Sequence, residues 1–392
     1  MARLAPFRGT TYDPSKVRAA DVVAPPYDVV GPAERALFAA RSPYNAIHVE
    51  LPEDPEGKDR YAHAAALFSS WHEEGAVRLA TEPAFYLYQM TFDGEDGTRR
   101  TTTGLFGALG LDPEHRGEVL PHEETTPKDK SDRLSLLRAA RTNFSPIWGL
   151  SLSPGLGRLC AEAAAAAGEP FAARDAGGSL HECWQVSDPA FLTEASRLVG
   201  ASPVLLADGH HRYETACTFA GEDDSPGSQS VLALVIELSE DQLNVEAIHR
   251  LLRGATPERL REHLGQSFEI RPAPSEPAAL RQAMRAAGAL GLLAGGEGTL
   301  LVPREPTAEL DSVLLRAALA GLEGIEVSYQ HGLDEVAVAL EEGRAQAAVL
   351  LRPVSVGQIA ATAHGGRRMP PKSTFFYPKL LTGMVYRELD AG

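Results

Sequence analysis

The sequence predicts an α/β or α+β fold in which mixed sheets are covered by helices. Segments with helical and strand periodicity alternate through the C-terminal half of the chain. The run 231–238 is apolar except for Glu237 and has the length of a buried strand. With 392 residues, 44% of them hydrophobic, the chain is long enough to bury a sizeable core.

The predicted elements run from short strands and helices to a longer alternating series. In the N-terminal part they are a helix over 58–75, a strand over 84–92, a hairpin turn over 93–97, a return strand over 100–108, and helices over 131–141 and 159–168. In the C-terminal part they are helices near 256–265, 276–287, 307–321 and 332–342, and strands near 290–293, 298–302 and 347–351.

One short stretch between these parts carries most of the chemical information. Residues 204–206 predict a buried strand, the Asp-Gly pair at 208–209 is a turn signal, and 211–219 predicts a helix. The first N–H groups of a helix have no intrahelical partner and lie at the positive end of the helix dipole. We therefore expect an anion to bind at this turn.

Five consecutive residues of the turn are candidate site residues: Asp208, Gly209, His210, His211 and Arg212. The histidines and the arginine supply hydrogen-bond donors and positive charge, and the glycine has no Cβ to keep a ligand from the backbone. We assign Asp208 and His210 to the catalytic set and the other three to binding. The plainer alternative is a helix cap with solvated side chains. In a metal site, only one of the adjacent histidines could be a ligand, because neighbouring side chains diverge.

A second cluster, Pro121-His122-Glu123-Glu124, lies on a loop that leads into a predicted helix. A carboxylate near a substrate hydroxyl can act as general base when burial or a neighbour raises its pKa. We therefore predict Glu123 and His122 to be catalytic. The alternative is a capped helix start with solvated acids.

Two proline-stiffened loops could complete the site. Lys372-Ser373-Thr374 suits a phosphate or carboxylate, and the aromatic residues that follow could stack on a base or simply pack. The chain contains no Gly-x-x-x-x-Gly-Lys-Ser/Thr, so this is not a Walker A loop. Near the N-terminus, consecutive prolines fix the directions of Tyr27 and Asp28. We predict that this pair contacts the ligand, although many domains also begin with such a loop.

Charge and composition exclude several classes of protein. The net charge is −16, with 37 Lys and Arg against 53 Asp and Glu, so non-specific nucleic-acid binding is disfavoured. A small anionic ligand in a locally positive pocket is compatible with this charge. No apolar run approaches the ~20 residues that span a bilayer, and the N-terminus lacks an apolar signal core. The three cysteines have no metal or redox spacing. We expect a cytoplasmic protein that binds neither nucleic acid nor membrane.

The turn is one of six motifs by which the chain resembles the domain-of-unknown-function 1015 family of bacterial and archaeal proteins. The resemblance runs nearly end to end. In order, the motifs are Ala5-Pro-Phe-Arg-Gly9, Ala24-Pro-Pro-Tyr-Asp-Val29, Pro43-Tyr-Asn45, Leu120-Pro-His-Glu123 with Thr125, Asp208-Gly-His-His-Arg-Tyr-Glu-Thr215 and Met369-Pro-Pro-Lys-Ser-Thr-Phe-Phe-Tyr-Pro-Lys379.

The turn is also similar to the phosphate-binding turn of the ParB and sulfiredoxin superfamily, where a segment at a helix N-terminus holds nucleotide phosphates. Some members of that superfamily are kinases that phosphorylate free serine. The resemblance implies a ParB/sulfiredoxin-like strand-turn-helix and a phosphotransferase acting on a small hydroxyl metabolite. Free serine or phosphoserine is then the leading substrate, with the kinase or phosphatase direction open.

This interpretation gives each candidate residue a role. Residues 208–212 would hold phosphate, Glu123 would be the general base, and Lys372 would neutralise charge on the transferred group. A nucleotide donor would require Mg²⁺, with Asp208 or Glu123 as a ligand, and another phosphate donor remains an alternative.

Two other functions are compatible with parts of this pattern. A non-catalytic sensor of a phosphorylated metabolite or nucleotide would keep the anion turn but need no base, so Glu123 would be dispensable. A metal-dependent nuclease is disfavoured by the acidic charge.

The polar segment 221–228 is the predicted boundary between two parts. Residues 1–220 would carry the turn. Residues 229–392 would form a C-terminal α/β part whose last segment, 369–379, returns to the site.

Overall fold

The computed structural model describes residues 1–54, 57, 59–94, 97–121, 130–305, 307, 309–365 and 368–391. The chain forms two compact units. Unit 1 consists of Met1–Asn244 and Pro378–Gly392, and unit 2 consists of Val245–Tyr377. In sequence, unit 2 is therefore inserted into unit 1, and the C-terminal segment belongs to unit 1.

The strands are β1 (Leu4–Ala5), β2 (Thr10–Tyr12), β3 (Val77–Leu79), β4 (Phe85–Asp93), β5 (Arg99–Gly110), β6 (Val119–Pro121), β7 (Thr142–Asn143), β8 (Ile147–Ser151), β9 (Phe171–Arg174), β10 (Leu180–Val186), β11 (Val204–Asp208), β12 (Ser230–Glu237), β13 (Asn244–Glu246), β14 (Ile248–Arg253), β15 (Phe268–Ala273), β16 (Leu290–Ala294), β17 (Glu297–Pro303), β18 (Glu326–His331), β19 (Ala347–Leu350), β20 (Phe375–Tyr377) and β21 (Arg387–Glu388). The helices are α1 (Ala19–Val22), α2 (Pro32–Ala39), α3 (Ile47–Glu50), α4 (Arg60–Glu73), α5 (Lys130–Ala140), α6 (Leu156–Ala166), α7 (Pro189–Gly200), α8 (His210–Ala220), α9 (Pro257–Leu264), α10 (Pro277–Ala287), α11 (Asp311–Leu319), α12 (Leu333–Glu341) and α13 (Val356–His364).

The main sheet of unit 1 is mixed. Among the described residues it has the strand order β6-β11-β8-β12-β5-β4-β10-β9, with β1 paired to β5. β11 is parallel to β6 and β12 is parallel to β8, while the other neighbours are antiparallel. β12 is buried along nearly its whole length, as expected for a continuously apolar central strand.

Helices cover this sheet and form a second core beside it. α6, α7 and α8 pack apolar side chains against β4, β5, β8, β11 and β12 in one core cluster. A separate cluster joins α3, α4 and α5 through Ile47, Phe68, Trp71 and Leu136, and it includes Tyr386 from the C-terminal segment. The C-terminal segment is thus held in unit 1 by packing as well as by the pairing of β21 with β7.

Unit 2 is built on an antiparallel sheet with the order β15-β17-β16-β19-β14-β18. Alternate residues of β16 enter different core clusters, because successive side chains of a strand point to opposite faces. α9 and α11 cover one face of the sheet, and α10 and α12 cover the other. The predicted fold class, an α/β or α+β fold with sheets covered by helices, is confirmed; the main sheet of unit 1 is mixed, whereas the sheet of unit 2 is antiparallel.

The division into units differs from the division that the sequence predicts. The predicted boundary, 221–228, lies within unit 1, because β12 follows it and pairs with β5 and β8. Residues 378–392 also belong to unit 1 rather than to the C-terminal unit. A polar segment rich in Gly and Pro indicates a loop, but it does not distinguish a surface loop inside a domain from a linker between domains.

Among the described residues, every helix is too short or too polar to cross a membrane. The predicted hairpin turn 93–97 joins β4 to β5, and its residues 95 and 96 lie outside the described residues.

Candidate functional site

The strand-turn-helix predicted from the sequence is present in unit 1. β11 is buried up to Ala207 and ends at Asp208, and α8 begins at His210. Gly209 between them has φ +85° and ψ +29°, a left-handed conformation that favours glycine. A Cβ at this position would lie 3.0 Å from Ile147 Cγ2 and 3.1 Å from Arg212 Nε. Both the backbone angle and the close packing therefore require glycine at the turn.

Asp208 forms an ion pair with a residue that the sequence analysis did not select. The Nζ of Lys379 donates a hydrogen bond to Asp208 Oδ2 at 3.0 Å, and both side chains are about three-quarters buried or more. Burial alone would raise the pKa of Asp208, but Lys379, together with Arg212 and His210, holds it well below its usual range. Asp208 is thus a carboxylate at neutral pH.

Arg212 lies beneath the turn with its side chain only 10% exposed. Its Nη1 donates to the carbonyl of Pro146, and its Nη2 lies 4.0 Å from Asp208 Oδ2. Burial lowers the pKa of the guanidinium, but the nearby acids Asp28 and Asp208 outweigh this effect and raise it. Arg212 therefore stays positively charged although it is buried.

The structure brings the predicted pair Tyr27 and Asp28 close to Arg212. The guanidinium carbon of Arg212 lies 5.9 Å from the Tyr27 ring centroid, and that of Arg133 lies at 4.3 Å, both within cation–π range. Burial is the main reason why the pKa of Tyr27 rises to about 12. Tyr27, Asp28, Asp208, Gly209 and Arg212 thus lie close together at the turn, while their contact with a ligand stays a prediction.

Glu50 is a second residue of this cluster that the sequence analysis missed. Its side chain is almost completely buried, accepts a hydrogen bond from Ser145 Oγ at 2.7 Å and lies 3.5 Å from Arg133 Nη1. Arg133 also donates to the Glu50 carbonyl at 2.7 Å. The available signal was a lone acid among the apolar residues Ile47, Val49 and Leu51.

His210 and His211 occupy the first turn of α8 and are both partly buried. His122 and Glu123 lie outside the described residues, so their catalytic assignment stays a prediction. Among the described residues, no group of three or more His, Cys, Asp or Glu side chains is arranged to hold a metal ion.

The loop Lys372-Ser373-Thr374 belongs to unit 2. Lys372 has a left-handed φ of +60°, and its carbonyl accepts a hydrogen bond from Arg250 Nη2 at 3.0 Å. Ser373 Oγ donates to the Pro370 carbonyl at 2.7 Å and lies 3.0 Å from Ser312 Oγ, while Thr374 is buried. These contacts hold the loop in its conformation. The part of the loop in the site stays a prediction.

A chain of hydrogen bonds fixes the backbone next to Lys379. The Leu381 N–H donates to Tyr88 Oη at 3.1 Å, Tyr88 Oη lies 2.7 Å from His181 Nδ1, and His181 Nε2 lies 3.2 Å from Asp175 Oδ2. The Asp175 carboxylate can only accept, so His181 Nε2 donates to it. In the neutral imidazole, Nδ1 then accepts from the Tyr88 hydroxyl. Tyr88 and His181 are completely buried, so this chain holds the segment that carries Lys379 against the sheet.

Replacing Tyr88 with phenylalanine is expected to release this segment. The change leaves a buried N–H without an acceptor, which costs about 1–3 kcal/mol. Amide hydrogen exchange at Leu381 should accelerate by about 5- to 150-fold relative to other strand amides. Tyr86→Phe is the matched control, because Tyr86 Oη accepts from the Gly9 N–H at 2.9 Å instead. Unchanged exchange at Leu381 in Tyr88→Phe would contradict the positioning role.

Comparison with known families and structures adds one clear match. The model of a family described as "Protein of unknown function (DUF1015)" matches residues 4–324. No curated protein matches the chain.

Several solved structures are distantly similar. A mutant free serine kinase in complex with AMP has a TM-score of 0.40 and 13% identity over 70% of this chain and 87% of its own. A conserved hypothetical protein from Pyrococcus furiosus has a TM-score of 0.39 and 12% identity over 73% and 96%. SbnI with a C-terminal truncation, from Staphylococcus aureus, has a TM-score of 0.40 and 14% identity over 71% and 85%. At these TM-scores, the similarities establish no activity for this chain.

Proposed function

The chain belongs to the DUF1015 family of proteins of unknown function, and from this premise we propose that it is a phosphotransferase acting on a small hydroxyl metabolite. Free serine or phosphoserine is the leading substrate, on the strength of the motif resemblance described above. The proposal depends mainly on one observation, namely that two buried or half-buried cations, Lys379 and Arg212, lie at a helix N-terminus that opens on a glycine.

The turn offers what a phosphate group needs. Gly209 has no side chain, so a ligand can closely approach the positive end of the α8 dipole. Lys379 places an ammonium group beside Asp208, and a bound phosphate would attract this ammonium away from the carboxylate. Arg212 adds a fixed positive charge beneath the turn, where the low dielectric constant strengthens its effect.

The acidic residues of the cluster favour a cation-assisted reaction. Asp28, Asp208 and Glu50 offset much of the charge of Arg212, Arg133 and Lys379. A phosphate donor would therefore bind best together with Mg²⁺, which prefers carboxylate and phosphate oxygens. We assign Asp208 as the carboxylate ligand available among the described residues and keep Glu123 as the alternative.

The catalytic roles follow from this arrangement. Glu123 or its neighbour His122 would remove the proton of the acceptor hydroxyl, and His210 in the first turn of α8 would hydrogen-bond the transferred group. Lys372 keeps its proposed role in neutralising charge on that group, and Ser373 and Thr374 keep theirs in binding it. Within unit 1, Lys379 is the cation beside Asp208. A reaction with a nucleotide donor fits the cytoplasmic location that the sequence predicts.

A panel of donors and acceptors tests the proposal. Phosphorus NMR would follow phosphoryl transfer from ATP, ADP or pyrophosphate to serine, and phosphate release from phosphoserine, with and without Mg²⁺. We expect turnover that requires the metal ion. If no pair reacts but a phosphorylated compound still binds, the sensor is the better function. If nothing in the panel binds in thermal-shift experiments, both functions are wrong.

Arg212→Met should weaken binding of a phosphate ligand by about 1.5–3 kcal/mol, which is about a 10- to 150-fold increase in Kd. The substitution keeps the aliphatic stem and removes the charge. It also leaves the Pro146 carbonyl and the nearby acids without their cation, so a loss of stability should accompany it. Calorimetry on the folded variant would measure the affinity. Arg138→Met, which removes an exposed arginine paired with Glu222, is the control, and equal affinities in the two variants would remove Arg212 from the site.

A further inference from the structure

A small cavity with both apolar and polar walls lies in unit 1 between α3, α5, α8 and the segment that follows β7. Its volume is about 50 Å³, and its walls include Glu50, Arg133, Ser145, Arg212 and Thr215. All of these residues belong to unit 1. Because Arg212 also lies beneath the anion turn, the cavity adjoins the proposed site without being part of the turn.

Two polar groups of the cavity walls lack a hydrogen-bond partner among the described residues. They are Arg212 Nε and Thr215 Oγ1, and both atoms are buried. The residues themselves are nine-tenths buried or more. A buried donor without an acceptor costs about 1–3 kcal/mol, so each of these groups calls for an oxygen atom in the cavity.

Several other polar groups of the cavity have partners. Ser145 Oγ donates to Glu50 Oε1, and Arg133 donates to the Glu50 carbonyl and, from its Nε, to Asp132 at 2.8 Å. Thr142 Oγ1 donates to the Ala140 carbonyl. The two groups without a partner are therefore a guanidinium and a hydroxyl, and each can donate to a hydrogen-bond acceptor in the cavity.

Size and charge narrow the class of ligand. At about 10–15 Å³ for each water-sized group, the cavity has room for roughly four heavy atoms. This is the size of a carboxylate and the carbon that bears it. A carboxylate has two acceptor oxygens for the two donors, and guanidinium–carboxylate pairs are among the stronger hydrogen-bonded pairs. The Glu50 charge is compensated locally by Arg133 and Ser145.

We propose that this cavity binds the carboxylate of the acceptor, which makes the substrate a small hydroxy or amino acid rather than a polyol. Arg212 Nε and Thr215 Oγ1 would donate to the two oxygens. This assignment of substrate class rests on the proposed phosphotransfer, whereas carboxylate binding by the cavity can be measured by itself.

Thr215→Val tests the cavity, because valine has nearly the shape of threonine but no hydroxyl. We expect acetate, used as the probe, to bind the parent and to bind Thr215→Val about 10-fold more weakly. Thr218→Val is the matched control on the exposed side of the same helix, where the hydroxyl donates only to the Glu214 carbonyl. Its affinity should equal that of the parent. NMR titration with ¹³C-labelled acetate, against chloride at equal ionic strength, would measure all three.

A parallel titration with inorganic phosphate distinguishes acetate binding in the cavity from phosphate binding at the turn. Phosphate binding without acetate binding, or equal acetate binding by the parent and Thr215→Val, would overturn the inference and leave the proposed function standing. Acetate binding without phosphate binding would support the inference and overturn the proposed function. If Thr215→Val does not fold, electron density from crystals grown in acetate decides the matter. A carboxylate between Arg212 and Thr215 supports the inference, and ordered water alone overturns it.

Discussion

Replacing Lys379 with methionine is expected to lower the free energy of unfolding by about 2–4 kcal/mol and to abolish measurable phosphate binding. Removing one partner of a buried ion pair leaves the other charge uncompensated, at a cost of about 3–5 kcal/mol. The effect here should be somewhat smaller, because Asp208 is 24% exposed and keeps Arg212 at 4.0 Å. Urea unfolding and calorimetry with inorganic phosphate would measure the two effects.

The pH dependence of this loss of stability should identify the charge of Asp208 as its cause. Its pKa in the folded protein is lower than the unfolded value of about 3.9, so the ion pair contributes its full stability above that value. This contribution is lost as the pH falls through the folded pKa. The difference in stability between the parent and Lys379→Met should therefore be constant from pH 7 to 5 and narrow below about pH 4.

Two further variants control this prediction. Lys379→Arg keeps the charge and should retain most of the stability. Asp208→Asn combined with Lys379→Met removes both charges and should be more stable than Lys379→Met alone. A Lys379→Met variant with the stability and phosphate affinity of the parent would show that the ion pair is incidental.

Replacing Glu123 with glutamine is expected to reduce turnover by about 10²- to 10⁴-fold while ligand affinity stays within about twofold of the parent. A general base acts on the proton in the transition state and contributes little to binding in the ground state. Single-turnover measurements, with calorimetry for the affinity, separate the two quantities.

The neighbouring acid supplies the control. Glu124→Gln should retain activity if Glu123 is the base. Full activity in Glu123→Gln would transfer the role to Glu124 or His122, and a loss of ligand affinity in step with turnover would indicate a binding role instead. The sensor function predicts no turnover in the parent or in either variant.

Local patterns predicted the strand-turn-helix correctly. β11, the left-handed Gly209 and the start of α8 follow from an apolar run, an Asp-Gly pair and a polar first turn, all within a few residues. The same kind of signal predicted α10, whose residues 277–287 lie within the predicted range 276–287. Elements with strong periodicity and clear ends are encoded locally.

Other elements were not predicted, because their sequence pattern was overlooked or is not local. β18 was missed although Val327 and Tyr329 alternate with polar residues, which is the pattern of a half-buried strand; in the structure both side chains are exposed. α7 was missed although Asp188 at its N-cap and Pro189 after it are helix-start signals. The partners Lys379 and Glu50 could not be chosen locally, because Asp208 and Arg212 meet them only through the fold.

Because unit 2 interrupts unit 1, the site is assembled late in protein synthesis. Lys379 leaves the ribosome about 170 residues after Arg212, which at about 5–20 residues per second is a delay of roughly 10–30 s. During that interval the nascent chain carries Asp208 without its lysine and unit 1 without its C-terminal segment. Unit 2 is synthesised completely before the ion pair at the turn can form.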